Sequence, residues 1–424
     1  MVRDKNVLSC TMQVFVITCL ITFWWMVFGY SLSFSPVYPN NHTQEVFGDW
    51  QRLWLRGMTP RTFHALAPTI PESVYCCYQL TFAIITAALV VGSFADRMKF
   101  VPMMIFISLW HLMVYCPIAH SNWHFQGIMK NIGVLDYAGG NVVHISSGAS
   151  GLATVLVLGN RKGFGKERFD PHNILLTFMG MSMLWVGWFG FNAGSAAGAN
   201  FNAGYAMLAT QIATSMAALT WLFTEWAVRG KPSVLGMISG AVAGLVCITP
   251  CSGYVDMTGA FFVGFFGGPL CYLGAQAKHF LGYDDALYAF GVHAIGGIVG
   301  GIACGFFATD QVNPFGAPSP FLYAWSLAQN LKTGPGANTW DADGNGKGQN
   351  YKYGPGWVIC PGGGGGYFGP NAPTVVPGEK TASGKQETAF TASGYPCASG
   401  YQPNTPIKGV YYGNLQEVRD STCY

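Results

Sequence analysis

Charged residues are scarce in this sequence, and that scarcity sets the class of protein. Only 10% of the 424 residues are Asp, Glu, Lys or Arg, whereas 50% are hydrophobic and the mean hydropathy is +0.29. Soluble domains usually carry about 25% charged residues. The formal net charge is +3 and no basic run exceeds two residues, so we expect no nucleic-acid binding. The composition predicts a polytopic membrane protein in contact with the lipid bilayer.

Metal-binding and catalytic motifs are also missing. No CxxC or His/Cys cluster has metal-ligand spacing, and no cofactor motif or nucleophile–base pair occurs, so we expect no metal, no cofactor and no enzyme activity. The stretch from Asp341 resembles a calcium loop, but Lys352 stands where a glutamate is needed, which favours a turn-rich loop. Whether Cys360, Cys397 and Cys423 form disulfides is left open by the sequence.

Long apolar segments occupy the first three quarters of the chain. A membrane helix needs about 20 apolar residues. Nine segments approach this length, at residues 7–34, 73–95, 100–120, 141–159, 172–196, 204–229, 233–250, 258–277 and 286–308. The first is too long for a signal-peptide core, so we predict a retained helix. Residues 1–308 are thus predicted to form an all-α transmembrane domain.

The distribution of Lys and Arg predicts a cytoplasmic N-terminus. Eleven basic residues fall in the inside stretches, namely Arg3, Lys5, Arg97, Lys99, Arg161, Lys162, Lys166, Arg168, Arg229, Lys231 and Lys278. Four fall in the outside loops, namely Arg52, Arg56, Arg61 and Lys130. Residues 309–424, rich in Gly and Pro, are then an extracellular and mostly disordered tail. Asn41 begins a sequon in an outside loop, which makes it a glycosylation candidate.

Two histidines inside apolar segments share one sequence pattern. His144 is the only ionisable residue between positions 142 and 158, and an ionisable residue at membrane depth is a functional-site hypothesis by default. His293 repeats its setting. The shared pattern is Val-His-x-x-x-Gly-x-x-Gly, at residues 143–151 and 292–300. The glycines fall on the imidazole's face of each helix, where they allow close approach of another backbone.

The repeated sequence pattern predicts an internal structural repeat, with a functional site where the two halves of the transmembrane domain meet. If the two glycine-lined helices cross, the two imidazoles meet near the membrane midplane. The alternative is that each histidine only hydrogen-bonds a neighbouring helix. A lone histidine favours that alternative, whereas a matched pair on matched glycine faces favours the shared site.

Several stretches resemble the Amt/Mep/Rh family of ammonium transporters. They are residues 136–161, 87–93, 187–195, 230–233 and 290–293. The resemblance covers nearly all of residues 2–310 and implies a helical bundle with a pseudo-twofold internal repeat and a pore through each subunit. Family members usually carry one further helix before and one after those found here, so the resemblance implies that the usual first and last helices are missing.

The resemblance also implies roles for individual residues. Trp123 and Ser195, with Tyr78 nearby, match an outer ammonium-recruitment site, where the indole face attracts a cation by about 0.5–2 kcal/mol. Phe82 and Phe191 match a gate of stacked rings. The twin pore histidines are matched by His144 and His293, and the supporting positions are Gln79, Trp188, Asn192 and Asp136. Of these, the Asp136 carboxylate is expected to cap backbone N–H groups rather than to bind the ion.

The implied activity is transmembrane ammonium transport. Ammonium is recruited outside and deprotonated near the gate, and ammonia passes the histidines, with net movement of charge. Trp123 and Ser195 point to the Amt branch. A multi-pass plasma-membrane location, a homotrimer or a heterotrimer with related subunits, and methylammonium as a further candidate substrate follow from the same resemblance. The alternative function is a non-transporting ammonium sensor, or a subunit that modifies trimers of full-length partners.

Overall fold

The structure is a computed structural model that describes most of the first 313 residues. The described residues are 1–38, 44–309 and 311–313, together with the strands Val358–Ile359 and Gly366–Tyr367. The sequon residue Asn41 lies outside the described residues, as does most of the predicted tail 309–424.

The chain divides into two compact units, Met1–Tyr323 and Ala324–Tyr424. In the second unit the described part is one antiparallel strand pair, in which Val358 lies opposite Tyr367. The first unit holds the long helices.

The first unit is a bundle of apolar helices. In chain order they are α1 (Asp4–Phe34), α2 (Glu72–Phe94), α3 (Phe100–Trp110, continued by His111–Tyr115 and Cys116–Trp123), α4 (Ile128–Asn131), α5 (Gly140–Leu158), α6 (Ile174–Gly194), α7 (Phe201–Arg229), α8 (Val234–Ile248), α9 (Met257–Leu281) and α10 (Ala289–Phe307). A short hairpin of β1 (Phe63–His64) and β2 (Ala67–Pro71) precedes α2.

Eight of the nine predicted segments are helices long and apolar enough to cross a membrane, as judged over the described residues. The ninth, predicted at 233–250, forms the shorter helix α8 of 15 residues. It ends before Pro250, which has no N–H to continue the helix. Most of α8 is buried against neighbouring helices and not exposed to lipid. Its length is therefore not set by the thickness of the bilayer. The fold is a multi-pass helical membrane protein, as the sequence predicted.

Several helices contain a π-helical turn, which sequence periodicity did not predict. Within the described residues these turns are Trp25–Gly29, His111–Tyr115, Gly140–Ile145 and Ala289–Ala294. The last two open α5 and α10, and they carry His144 and His293. Such turns are rare and often lie at functional sites. The two histidines therefore occupy equivalent positions in their helices.

The buried apolar residues form two main clusters that follow the two halves of the chain. One is built from α1, α2, α3 and α5, and the other from α6 to α10. Phe191 packs against each cluster. The region between the two clusters is thus bordered by α5 from the first half and α10 from the second.

The glycines of the repeated pattern allow α5 and α10 to cross closely. A Cβ added to Gly148 would lie 2.5 Å from the backbone nitrogen of Ala294, next to His293. A Cβ added to Gly297 would lie 3.1 Å from the Cβ of His144. Each glycine therefore packs against the opposite helix, next to the histidine of that helix. This is the crossing that the repeated pattern predicted.

Candidate functional site

The two predicted pore histidines are in direct contact. The Nδ1 atoms of His144 and His293 lie 3.2 Å apart, within hydrogen-bond distance. His144 is fully buried and His293 is 9% exposed. Because one Nδ1 must donate and the other must accept, the neutral pair has one Nε2 that accepts and one Nε2–H that donates. Among the described residues, Nε2 of His144 has no hydrogen-bond partner, so it is left for a small polar ligand.

A column of aromatic rings leads from the histidine pair to a cavity lined by the predicted recruitment residues. Trp188 stacks on His144 with ring centroids 5.6 Å apart and planes 12° apart. Phe191 lies 4.9 Å from Trp188, and Phe82 lies 4.5 Å from Phe191. Phe82 in turn packs edge-to-face with Trp123, with ring centroids 5.4 Å apart. The predicted gate residues thus lie between the recruitment residues and the histidines.

The recruitment residues line a cavity of about 160 Å³, here called the Trp123 cavity. Its lining consists of Leu66, Tyr75, Tyr78, Gln79, Phe82, Trp123, Lys130, Asp136, Tyr137, Ser195 and Ala197. The indole N–H of Trp123 already donates to the carbonyl of Asp136 at 3.0 Å. With that N–H occupied, the indole offers its π face, which attracts cations.

Hydrogen-bond acceptors face the same cavity. The Ser195 hydroxyl donates to the carbonyl of Phe191 at 3.0 Å, and the Tyr78 hydroxyl donates to the same carbonyl. Tyr78 and Ser195 lie 3.0 Å apart through their oxygens. Their lone pairs remain for an N–H donor. Gln79 Oε1 is buried and has no partner among the described residues, which adds a third acceptor.

Two supporting residues, Trp188 and Asn192, belong to a buried polar network away from the cavity. The Trp188 indole donates to Thr249 Oγ1 at 2.9 Å, and Asn192 Nδ2 donates to Thr210 Oγ1 at 2.9 Å. Thr249 Oγ1 and Asn192 Oδ1 are 3.4 Å apart. The sequence did not predict a role for either threonine, because threonines in apolar helices are common and these two follow no recognisable motif.

Asp136 caps the π-helical turn that opens α5. One carboxylate oxygen accepts N–H groups of Gly139 and Gly140, and the other accepts those of Asn141 and Val142, at 2.6–3.2 Å. Burial raises the pKa of Asp136, and the four N–H donors oppose that shift by stabilising the ionised form. The carboxylate is thus directed at the helix start.

Asp285 occupies the equivalent position before α10, and the sequence reading missed it. Its two oxygens accept N–H groups of Ala289 and Phe290 at 3.1 and 2.8 Å. Asp285 precedes His293 by the same eight positions by which Asp136 precedes His144, so a longer comparison of the two stretches would have found it. The repeat therefore includes the cap as well as the histidine.

Replacing Asp136 by asparagine is expected to lower the free energy of unfolding by about 2–4 kcal/mol, because an amide offers one acceptor oxygen and places an NH₂ against backbone donors. Thermal unfolding of the purified protein measures the loss. Asp256→Asn is the matched control: Asp256 caps α9 through a single bond to the Gly259 N–H, and asparagine caps equally well. An unchanged melting temperature in Asp136→Asn, with altered ammonium half-saturation, would assign Asp136 an electrostatic role instead.

Fold and site together define a class of protein. A buried imidazole pair lies in a bundle of membrane helices, below a closed ring pair and a cavity with a π face and hydroxyl acceptors. This arrangement is typical of a membrane transport protein for a small polar solute.

Comparison with known proteins gives the family. A model of the Ammonium Transporter Family matches residues 1–334. An ammonium transporter of Bacillus subtilis (strain 168) is 43% identical over 330 residues, covering 77% of this chain and 79% of the relative. Ammonium transporter 1 of Dictyostelium discoideum is 39% identical, covering 76% and 69%. The chain belongs to the Ammonium Transporter Family, and ammonium transport is the function that this membership supports.

Solved structures agree with that assignment. The crystal structure of Saccharomyces cerevisiae Mep2 superposes with a TM-score of 0.70 at 33% identity, covering 78% of each chain. A structure described as a sensor Amt protein superposes with a TM-score of 0.67 at 25% identity, covering 78% of this chain and 82% of that one.

Proposed function

We propose that this chain conducts ammonium by recruiting the ion in the Trp123 cavity and separating it into a proton and ammonia at the Phe82–Phe191 gate. The contact between His144 and His293 carries the proposal, because a buried neutral pair with a free Nε2 suits ammonia and not a cation. An unpaired cation in a dry apolar channel costs many kcal/mol, whereas a neutral molecule with one hydrogen bond costs far less.

The first step is recruitment of ammonium in the Trp123 cavity. The indole face supplies cation–π attraction, and the oxygens of Ser195, Tyr78 and Gln79 accept N–H groups. Potassium is attracted by the same π face but has no N–H to donate. The directional acceptors therefore favour ammonium over potassium.

The second step is deprotonation at the Phe82–Phe191 gate. Ring centroids 4.5 Å apart leave no open passage, so the solute passes only when a ring moves. Beyond the rings the surroundings are apolar, and the loss of the proton removes the desolvation cost of the charge. The proton given up by ammonium adds to the unpaired Nε2 of His144, the Nδ1–H of that imidazole passes to Nδ1 of His293, and the Nε2–H of His293 is released on the far side, which gives net charge movement.

Assembly and location form part of the same proposal. We infer a homotrimer, or a heterotrimer with related subunits, in the plasma membrane, with Asn41 as a glycosylation site and methylammonium as a second substrate. Apolar side chains such as Phe265, Phe266 and Leu273 on the outside of α9 are exposed in the single chain and suit lipid or a neighbouring subunit.

The deciding test is uptake by the chain expressed alone in cells that lack ammonium carriers. We expect growth on low ammonium and an inward current on ammonium addition under voltage clamp. Growth without a current would support transport of neutral ammonia only. Absence of both growth and current, with normal surface abundance, would favour the second candidate function, a non-transporting ammonium sensor. The likeness to a structure described as a sensor Amt protein supports that candidate.

A further inference from the structure

The Trp123 cavity contains a positive charge where a cation is proposed to bind. Of the described residues that line it, Lys130 is the only lysine or arginine and Asp136 the only carboxylate. Lys130 lies in the short helix α4 and is exposed, so its side chain is in contact with solvent at the edge of the cavity. The Asp136 carboxylate is occupied by four backbone N–H groups of α5.

Two effects of Lys130 on a bound cation have the same sign. Its charge repels a second cation in the cavity directly. It also interacts electrostatically with Asp136, which reduces the attraction that this carboxylate exerts on the cavity. Because Lys130 is exposed, both effects are screened by salt and weaken beyond a Debye length of about 10 Å at 0.1 M. A neutral solute is affected by neither.

We propose that Lys130 determines the affinity of the recruitment site: its charge keeps the occupancy of the Trp123 cavity by ammonium low and weakens the binding of all monovalent cations there. The inference rests on the proposed recruitment function. It predicts a site that releases its ion readily, so that turnover is not limited by tight binding.

Charge substitutions at Lys130 test the proposal. Lys130→Gln is expected to lower the half-saturating ammonium concentration about 3- to 10-fold at low ionic strength. Lys130→Glu is expected to lower it further, and Lys130→Arg to match the wild type. The difference between Lys130→Gln and wild type should shrink as ionic strength is raised from about 10 to 150 mM.

Lys231→Gln is the matched control, since Lys231 is an exposed lysine between α7 and α8 that does not line the cavity. It should leave the half-saturating concentration unchanged. Equal values for wild type, Lys130→Gln and Lys130→Glu at low ionic strength would overturn the proposal.

Equilibrium binding of radiolabelled methylammonium to the purified protein gives a second readout that needs no transport. If the wild type transports nothing but Lys130→Gln binds methylammonium more tightly than Lys130→Arg, the proposed transport fails and the role of Lys130 stands. If the wild type transports and the variants bind and transport alike, the role of Lys130 fails and the transport function stands.

Discussion

Replacing His293 by alanine is expected to lower ammonium transport about 5- to 150-fold or to admit potassium. The substitution removes the hydrogen-bond partner of His144 Nδ1 and leaves that buried atom unpaired. Loss of a buried partner costs about 1–3 kcal/mol, which corresponds to about 5- to 150-fold in rate. His144→Ala should act in the same direction, because the two residues form one pair.

Two measurements separate loss of transport from loss of selectivity. Ammonium-dependent growth and ammonium current report transport, and potassium current in the absence of ammonium reports selectivity. His279→Ala is the control, because His279 is exposed near the end of α9 and does not line the Trp123 cavity. Normal transport with full exclusion of potassium by His293→Ala, at equal surface abundance, would contradict the twin-histidine role.

Replacing Gly300 by alanine is expected to destabilise the bundle by about 1–3 kcal/mol or more. An added Cβ would lie 2.0 Å from the carbonyl oxygen of Cys247 and 2.7 Å from Pro250 Cγ. The carbonyl is backbone and cannot swing away, so α10 and α8 must separate. Valine at this position should prevent accumulation of folded protein.

The neighbouring glycine supplies a control of the same chemistry. A Cβ added to Gly301 has nothing within 4 Å, and alanine is the better helix former by about 1 kcal/mol. Gly301→Ala should therefore melt at the wild-type temperature or slightly above it, as measured by thermal unfolding of the detergent-solubilised protein. Equal melting temperatures for Gly300→Ala and Gly301→Ala would show that the helices do not cross as closely as described.

The extent of the helices could be predicted from the sequence because it depends on local chemistry. Runs of apolar residues without charge define a membrane helix wherever they occur. The predicted segment 73–95 thus corresponds to Glu72–Phe94, and 100–120 lies within α3. Segment 233–250 differs, because α8 is largely buried in protein and its length is set by Pro250.

The pairing of His144 with His293 could be predicted from the repeated pattern, because glycines at i+4 and i+7 mark one face of a helix. The internal repeat also contains Asp285, which the comparison would have included had it been extended eight residues upstream. The π-helical turns were beyond prediction, since they depend on how each helix start is capped and packed.

By itself, the sequence determined the class of protein and the extent of most of its helices, and it predicted the residues of the candidate pore. Only the tertiary structure decided that the histidines meet through Nδ1, that Trp188 stacks on His144, and that Lys130 lies in the Trp123 cavity. The reason is physical: helix formation is governed by neighbouring residues, whereas these contacts join residues far apart in the chain. The glycine pattern indicates which faces of α5 and α10 meet, but which atoms touch is settled by packing of the whole bundle.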